Sequence, residues 1–333
     1  VLSDLGADVV KVEDPEPGDY LRQISPGMFA SLNRGKRSMV IDLKTPSGAE
    51  QLRVLCAAAD VLVESFRPGV LERLLPDLGA FERLVVCRIS GFGQSESLWR
   101  ERAGHDIGYL ALSGALARCG ASQVPQLPGV QLGDLFGGAQ QAVIGIVTAL
   151  LERQRTGRGR VLDISLAAGT MGLVLPHLGE LALGGKPQQR GEDILSGSRP
   201  CYRVYGCKGG GAYALGALEP KFWQHFCQAV ARPDWLDRAF DVTLAPELDS
   251  LFATRTREEW DASLRPFDCC GEQVLEPWEI RHHPLFAGMF AGDMPRTLPA
   301  LVATSDVPQR RAPERGEHTD EVLREWARWQ PSS

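Results

Sequence analysis

The chain lacks the cysteine spacings that mark metal sites and disulfide scaffolds. Its eight cysteines (Cys56, Cys87, Cys119, Cys201, Cys207, Cys227, Cys269 and Cys270) are scattered, and no C-x-x-C pair or His/Cys cluster is present. His282-His283, beside Pro284, has no partner set and reads as a loop, so no metal is expected. No stretch reaches the roughly 18 to 20 apolar residues of a membrane span, because the best candidate, Ala142 to Leu151, runs into Glu152, Arg153 and Arg155. A basic-then-apolar leader is also missing, and the reducing cytoplasm is the expected compartment. There is no surplus of basic charge: the net charge of −6 argues against a nucleic-acid surface as the main business. Nucleotide signatures fail too. Gly209-Gly210-Gly211 lacks the G-x-G-x-x-G spacing, Gly184-Gly185-Lys186 is followed by Pro187 where a P-loop needs Ser or Thr, and no G-x-S-x-G elbow offers a hydrolase serine.

What is present is an ordinary globular composition, 44% hydrophobic over 333 residues, enough for two domains. Val1 to Glu13 reads as a helix end, a glycine turn and a short strand. Apolar runs then alternate with helical patterns: a strand Ser38 to Leu43, a helix from Pro46 to Ala59, a strand Val61 to Glu64, a helix entered at Arg67-Pro68-Gly69, and a strand Leu84 to Ser90. A long helix follows Gly137-Gly138 and stops at Thr156-Gly157, before a strand Val161 to Ser165. This rhythm predicts βαβ units and an α/β parallel sheet, whose ligands sit beyond the carboxyl ends of the strands. A Gly/Pro/Gln/Ser-rich stretch at 185–200 reads as a linker. Beyond it, Tyr202 to Leu218 predicts a hairpin, with helices over 220–231 and 247–265, and a last helix over Thr319 to Trp329. The expected division is a large α/β domain over 1–185, a small α+β domain with linkers over 186–295, and a C-terminal segment over 296–333 returning to the large domain.

Three polar residues stand in apolar, glycine-rich surroundings. His105, in Gly104-His105-Asp106-Ile107-Gly108-Tyr109, precedes an apolar helix whose N-terminal amides can hold an anion; a purely structural histidine fits equally. Asp134 opens the long helix, where a helix cap explains it as well as chemistry does. Glu219 ends an apolar strand before a helix, where a first-turn charge is the plain alternative.

Longer stretches carry a resemblance. Leu5-Gly6-Ala7-Asp8-Val9-Val10-Lys11-Val12-Glu13, Asn33-Arg34-Gly35-Lys36-Arg37-Ser38, Ala59-Asp60-Val61-Leu62-Val63-Glu64-Ser65-Phe66-Arg67-Pro68-Gly69, Arg153 to Ser165, and Arg315-Gly316-Glu317-His318-Thr319-Asp320 resemble the class III CoA-transferase (CaiB/BaiF) family, in order and over essentially the whole chain. Gly-His-Asp-Ile-Gly-Tyr around His105 and Gly-Ala-Leu-Glu-Pro-Lys-Phe around Glu219 are similar to the α-methylacyl-CoA racemase branch. The glycine run and Gln of the transferases are not visible between Asp193 and Pro200.

The resemblance implies a Rossmann-like large domain joined to a small one in an interlocked homodimer. It also implies an acyl-CoA substrate, with coenzyme A arriving as part of that substrate and no cofactor, nucleic acid or membrane required. His105 and Asp134 would be the acid–base pair on the two faces of an enolate, with Glu219 supporting His105 across the dimer and the Asp106 amide receiving the thioester oxygen. Gly104 and Tyr109 belong to the same motif, while Lys11, Arg34, Lys36, Arg37 and Arg67 are candidates for the nucleotide end of CoA. It further implies a first strand and a Gly/Pro loop ahead of Val1. Departures from the family are Asp14, which would repel a phosphate, Phe136 in place of a glycine, and Gly108 in place of Asn. The alternatives are a CoA-transferase with Asp134 as nucleophile, and a degenerate acyl-CoA-binding protein.

Overall fold

The computed structural model describes residues 1–120, 123–295 and 310–326. The chain divides into two compact units, one formed by Val1–Ser113, Gln131–Gly172 and the residues from Arg281 onward, the other by Gly114–Val130 and Leu173–Ile280.

The first unit is α/β with parallel strands. β1 (Val10–Glu13) pairs with β2 (Arg37–Val40), Val10 opposite Arg37. β3 (Val61–Glu64), β4 (Val85–Ser90) and β5 (Val161–Ser165) form a three-stranded parallel sheet with β4 in the centre. The β4 pattern is buried along four consecutive residues, as a strand covered on both faces requires. Helix Pro46–Ala58 joins β2 to β3; Thr45 caps it by accepting the Gly48 N–H at 3.0 Å, and Pro46 occupies the first turn, where its missing N–H costs nothing. Its Leu55 packs with Met39, Ile41 and Val322, and its Leu52 and Cys56 with Leu71, Leu75, Leu84 and Val86. Helix Gln141–Thr156 lays Ala142 and Ile146, one turn apart, on Cys87, and stops at Gly157, whose φ of 72° lets its N–H close on the Arg153 carbonyl at 2.8 Å.

That helix begins earlier than expected. It is continuous with a π-helical turn over Gly133–Gln140, so Gly133–Thr156 spans 24 residues and is long and apolar enough, by length and composition, to cross a membrane. In this fold one face of it lies on the sheet. The last described helix, Thr319–Trp326, seats Val322 in the core beside β2; the expected continuation to Trp329 lies outside the described residues.

The second unit is built on an antiparallel sheet. β6 (Tyr202–Gly206) and β7 (Ala212–Gly216) form the expected hairpin, with Gly209 and Gly210 at φ of 82° and 95° in its turn. A third strand, β8 (Gly271–Gln273), pairs with β7. The expected single helix over 247–265 is two, Ala245–Phe252 and Arg257–Leu264, broken where Thr256 caps the second in a reciprocal box with Glu259. The core is aromatic: Phe252 stacks on Tyr205 at 4.5 Å and touches Tyr213, Phe226 and Trp260, all fully buried. The indole N–H groups of Trp223 and Trp260 donate to the Trp235 and Phe252 carbonyls, each at 2.9 Å. Phe252→Ala should lower the unfolding free energy by about 3–5 kcal/mol in denaturant titration, because it removes a fully buried ring that four other aromatic rings contact.

Candidate active site

His105 is the N-cap residue of helix Asp106–Leu112, in extended backbone with no side-chain cap of its own; its carbonyl accepts the Gly108 N–H at 2.8 Å, which leaves the Asp106 and Ile107 amides at the helix start without an intrahelical partner. Among the described residues the Asp106 N–H has no acceptor. His105 itself is exposed. Tyr109, one turn on, is buried, and its ring lies where side chains at Gly91 and Gly104 would go: a Cβ on Gly91 would stand 2.6 Å from the Tyr109 hydroxyl, and one on Gly104 2.7 Å from the ring. Phe92 meets this ring edge-on at 5.5 Å. Gly104 is thus required by the packing of Tyr109, a reason the sequence does not display. Gly108, by contrast, faces open space.

Asp134 sits in the first turn of the π-helical segment, and its backbone N–H donates to the Asp106 carboxylate at 2.9 Å. The segment is pressed against helix Leu166–Thr170, which continues directly from β5. A Cβ on Gly137 would stand 2.3 Å from Thr170 Oγ1 and 2.6 Å from the Leu166 carbonyl, while one on Gly169 would stand 2.1 Å from the Gly137 carbonyl. Only glycine allows this approach. Phe136 turns toward Gly172, filling space beside it.

The electrostatics tie these residues together. Partial burial, reinforced by the negative Asp106, raises the Asp134 carboxyl above the ordinary aspartate range, with His105 opposing. Burial also raises Tyr109, helped by Asp134 and Asp106. His105, Asp106, Tyr109 and Asp134 are therefore brought together in one unit. Glu219 lies in the other unit, exposed at the N-cap of helix Pro220–Ala229 and near enough to Cys270 to raise its thiol, after burial and Asp268.

The basic cluster divides. Arg34 is buried in a two-pronged pair with Asp4, and also donates to the Pro295 carbonyl. Arg37 is buried among Asp8, Glu321 and Glu325; burial alone would lower it, but these carboxylates outweigh that and hold it above the ordinary guanidinium range. Lys11 pairs with Asp19 at 2.8 Å. Lys36 donates only to the neutral Asn33 Oδ1 at 2.9 Å among the described residues, and burial, then repulsion from Lys11, lowers its ammonium. Arg67 is exposed just beyond the carboxyl end of β3. Asp14 is held in its charged form chiefly by Lys44, 3.0 Å away. Among the described residues, no group of three or more His, Cys, Asp or Glu is placed to hold a metal ion.

The model of CoA-transferase family III matches residues 1–319. The chain is 39% identical over 346 residues to alpha-methylacyl-CoA racemase of Homo sapiens, covering 98% of this chain and 88% of that protein. It is 29% identical over 380 residues to formyl-CoA:oxalate CoA-transferase of Rhodopseudomonas palustris, with the same coverage of 98% and 88%. Among solved structures it is similar to a CAIB/BAIF family protein from Brucella suis, with a TM-score of 0.79 at 26% identity, covering 98% of this chain and 93% of that one.

Two substitutions test the geometry. Gly137→Ala should cost about 1–3 kcal/mol of stability, read from denaturant midpoints, because the three nearest atoms to its Cβ are two backbone atoms and the hydroxyl of Thr170, itself bonded to the Leu166 carbonyl. Asp134→Asn should raise the melting temperature at neutral pH. The folded carboxyl titrates above its unfolded value, so the wild type bears the cost of a partly desolvated charge only at higher pH. The difference should therefore fade as pH falls through the raised folded value toward the ordinary aspartate value.

Proposed function

We propose, from the premise that the chain belongs to CoA-transferase family III, that it inverts the α-carbon of a 2-methylacyl-CoA or a related α-substituted acyl-CoA by 1,1-proton transfer. The observation that carries this reading is the pairing of His105 with Asp134 at the starts of adjoining helices, within electrostatic reach of each other. Neutral His105 takes the α-proton, the C–H electron pair moves into the thioester as an enolate, and protonated Asp134 returns a proton to the opposite face. The other epimer runs the same steps with the roles exchanged. One proton shared by two groups serves both directions.

The open Asp106 amide at the helix start supports its place as donor to the enolate oxygen. CoA enters as part of the substrate, so the chemistry needs no further cofactor. For its phosphates, charge accounting favours Lys36 and Arg67: an anion beside Lys36 would relieve its repulsion from Lys11, whereas Lys11, Arg34 and Arg37 already meet carboxylates. Glu219 is assigned to support of the His105 ring from the second chain of an interlocked dimer. The exposed apolar residues Ile144, Val147 and Leu151, on the outer face of helix Gln141–Thr156, are consistent with association. A soluble, cytoplasmic setting completes the proposal.

In heavy water, acyl-CoA thioesters bearing an α-substituent should exchange their α-hydrogen, and His105→Ala or Asp134→Ala should reduce exchange by about 10²–10⁴-fold. Absence of exchange across a panel of acyl chains would overturn the racemase reading, and monomeric behaviour in light scattering would overturn the dimer. The CoA-transferase relative keeps a second reading in play, in which Asp134 attacks the thioester and CoA passes to a free carboxylic acid. Trapping of an Asp134 acyl adduct by hydroxylamine would favour it.

A further inference from the structure

We infer that the Asp106 side chain is a positioning residue for this proton transfer: its carboxylate holds the Asp134 peptide at the head of the π-helical segment and so sets the Asp134 carboxyl opposite His105. The inference rests on the racemase reading and adds a second role for Asp106, distinct from that of its backbone amide.

The geometry is specific. Asp106 Oδ1 accepts the Asp134 N–H at 2.9 Å, one of the amides that a helix start leaves without an internal partner. A Cβ on Gly133 would stand 3.0 Å from the same oxygen, so the glycine before Asp134 keeps this approach open. The acceptor comes from a residue 28 positions away in sequence, which makes the bond a tie between two helix starts rather than a local cap.

The tie has an electrostatic consequence. A 1,1-proton transfer runs most evenly in both directions when its two groups hold the shared proton with comparable affinity, yet free histidine and aspartate differ by about 2.5 pH units. The negative Asp106 pushes Asp134 upward and narrows that gap, adding to partial burial. The charges that act on Asp134 are those of Asp106 and His105. Helix Asp106–Leu112 and its cap supply His105, Asp106 and Tyr109, of which Tyr109 is itself raised. Helix Leu166–Thr170 supplies no titratable group. β5 supplies Asp163, whose carboxylate accepts the Gln94 N–H at 2.9 Å and 3.0 Å.

Asp106→Asn keeps an oxygen acceptor and removes the charge, while Asp106→Glu keeps the charge. With ¹³C-labelled aspartate, the Asp134 carboxyl of the substrate-free protein should titrate roughly half a unit or more lower in Asp106→Asn than in wild type, and return toward wild type in Asp106→Glu. The acidic limb of the kcat/KM profile for α-hydrogen exchange should move down by the same amount, with kcat falling more than KM changes. The tie itself is read from the Asp134 amide resonance, which should shift in Asp106→Ala but little in Asp106→Asn; an unshifted amide in Asp106→Ala, or superimposable Asp134 titrations in wild type and Asp106→Asn, would overturn the inference. Because that titration needs no substrate, a wild-type protein that exchanges nothing would overturn the racemase reading and leave this question to be answered separately.

Discussion

The contact between Gly137 and Gly169 is the constraint on which the site depends. The Gly137 carbonyl occupies the place of a Gly169 side chain, and Gly137 in turn lies against Thr170 and the Leu166 carbonyl. The helix carrying Gly169 starts where β5 ends, with Ser165 accepting the Ala168 N–H at 3.2 Å as its cap. The position of β5 is fixed by its register on β4, Ser90 opposite Ser165. Sheet register is thus transmitted through a short helix to the π-helical segment, and from there to Asp134. The same helix start reaches the β4 loop, where the Ala167 N–H bonds the Gly91 carbonyl at 3.0 Å. Gly91 forms one wall of the Tyr109 slot, and Tyr109 anchors the helix that His105 caps. Both members of the proposed acid–base pair are therefore referred to one pair of strands.

A second network holds the β1–β2 side of the same unit. Burial pushes the Glu13 carboxyl up, but Arg22, the Ser38 hydroxyl and the Asp19 amide outweigh it and hold it at about 2. Each Glu13 oxygen is taken up by hydrogen bonds of 2.7 to 3.2 Å. Ser38 then accepts the Gly316 N–H at 2.9 Å, which joins the chain's late segment to β2. Arg37, next to Ser38, faces Glu321 and Glu325 of that segment. A basic run that looks like a ligand site in sequence is here partly structural: Arg37 holds the C-terminal helix and Arg34 pairs with Asp4, while Lys36 between them retains an incompletely neutralised charge.

Local patterns made β3 and β5 legible at their full lengths, since Val61–Glu64 and Val161–Ser165 are short apolar runs closed by turn residues. The parallel arrangement followed from the alternation of strands and helices. What was not legible depends on partners far apart in sequence. β8 is three residues long and exists as a strand only because β7 offers it an edge. The Arg37 pairs come from residues 284 and 288 positions away. The π-helical turn has no periodicity of its own and lies where Gly137 lets the Leu166–Thr170 backbone approach, with Gly133 against the Asp106 carboxylate and Gly138 against the Leu166 side chain. The split near Thr256 was readable, because Thr256 and Glu259 carry a capping-box spacing, but the apolar pattern across it hid the break. In the site, the carboxylate of Asp106 went unread because adjacency to His105 in sequence says nothing of its reach to Asp134.

The racemase and transferase readings use the same aspartate, and its electrostatics alone do not separate them. A neighbouring negative charge makes Asp134 more basic, which suits a proton carrier, and more nucleophilic as an anion, which suits attack on a thioester. Forming an acyl bond would also discharge Asp134 and relieve its repulsion from Asp106. His105 breaks the tie. An aspartyl nucleophile leaves its carboxylate in place and has no proton to exchange with an imidazole, so a histidine within electrostatic reach is idle in that mechanism. In a 1,1-proton transfer the second group is obligatory, because the proton must leave one face and arrive at the other. The fold supplies that second group on a separate helix start, tied to the first through Asp106, and this arrangement supports inversion over transfer.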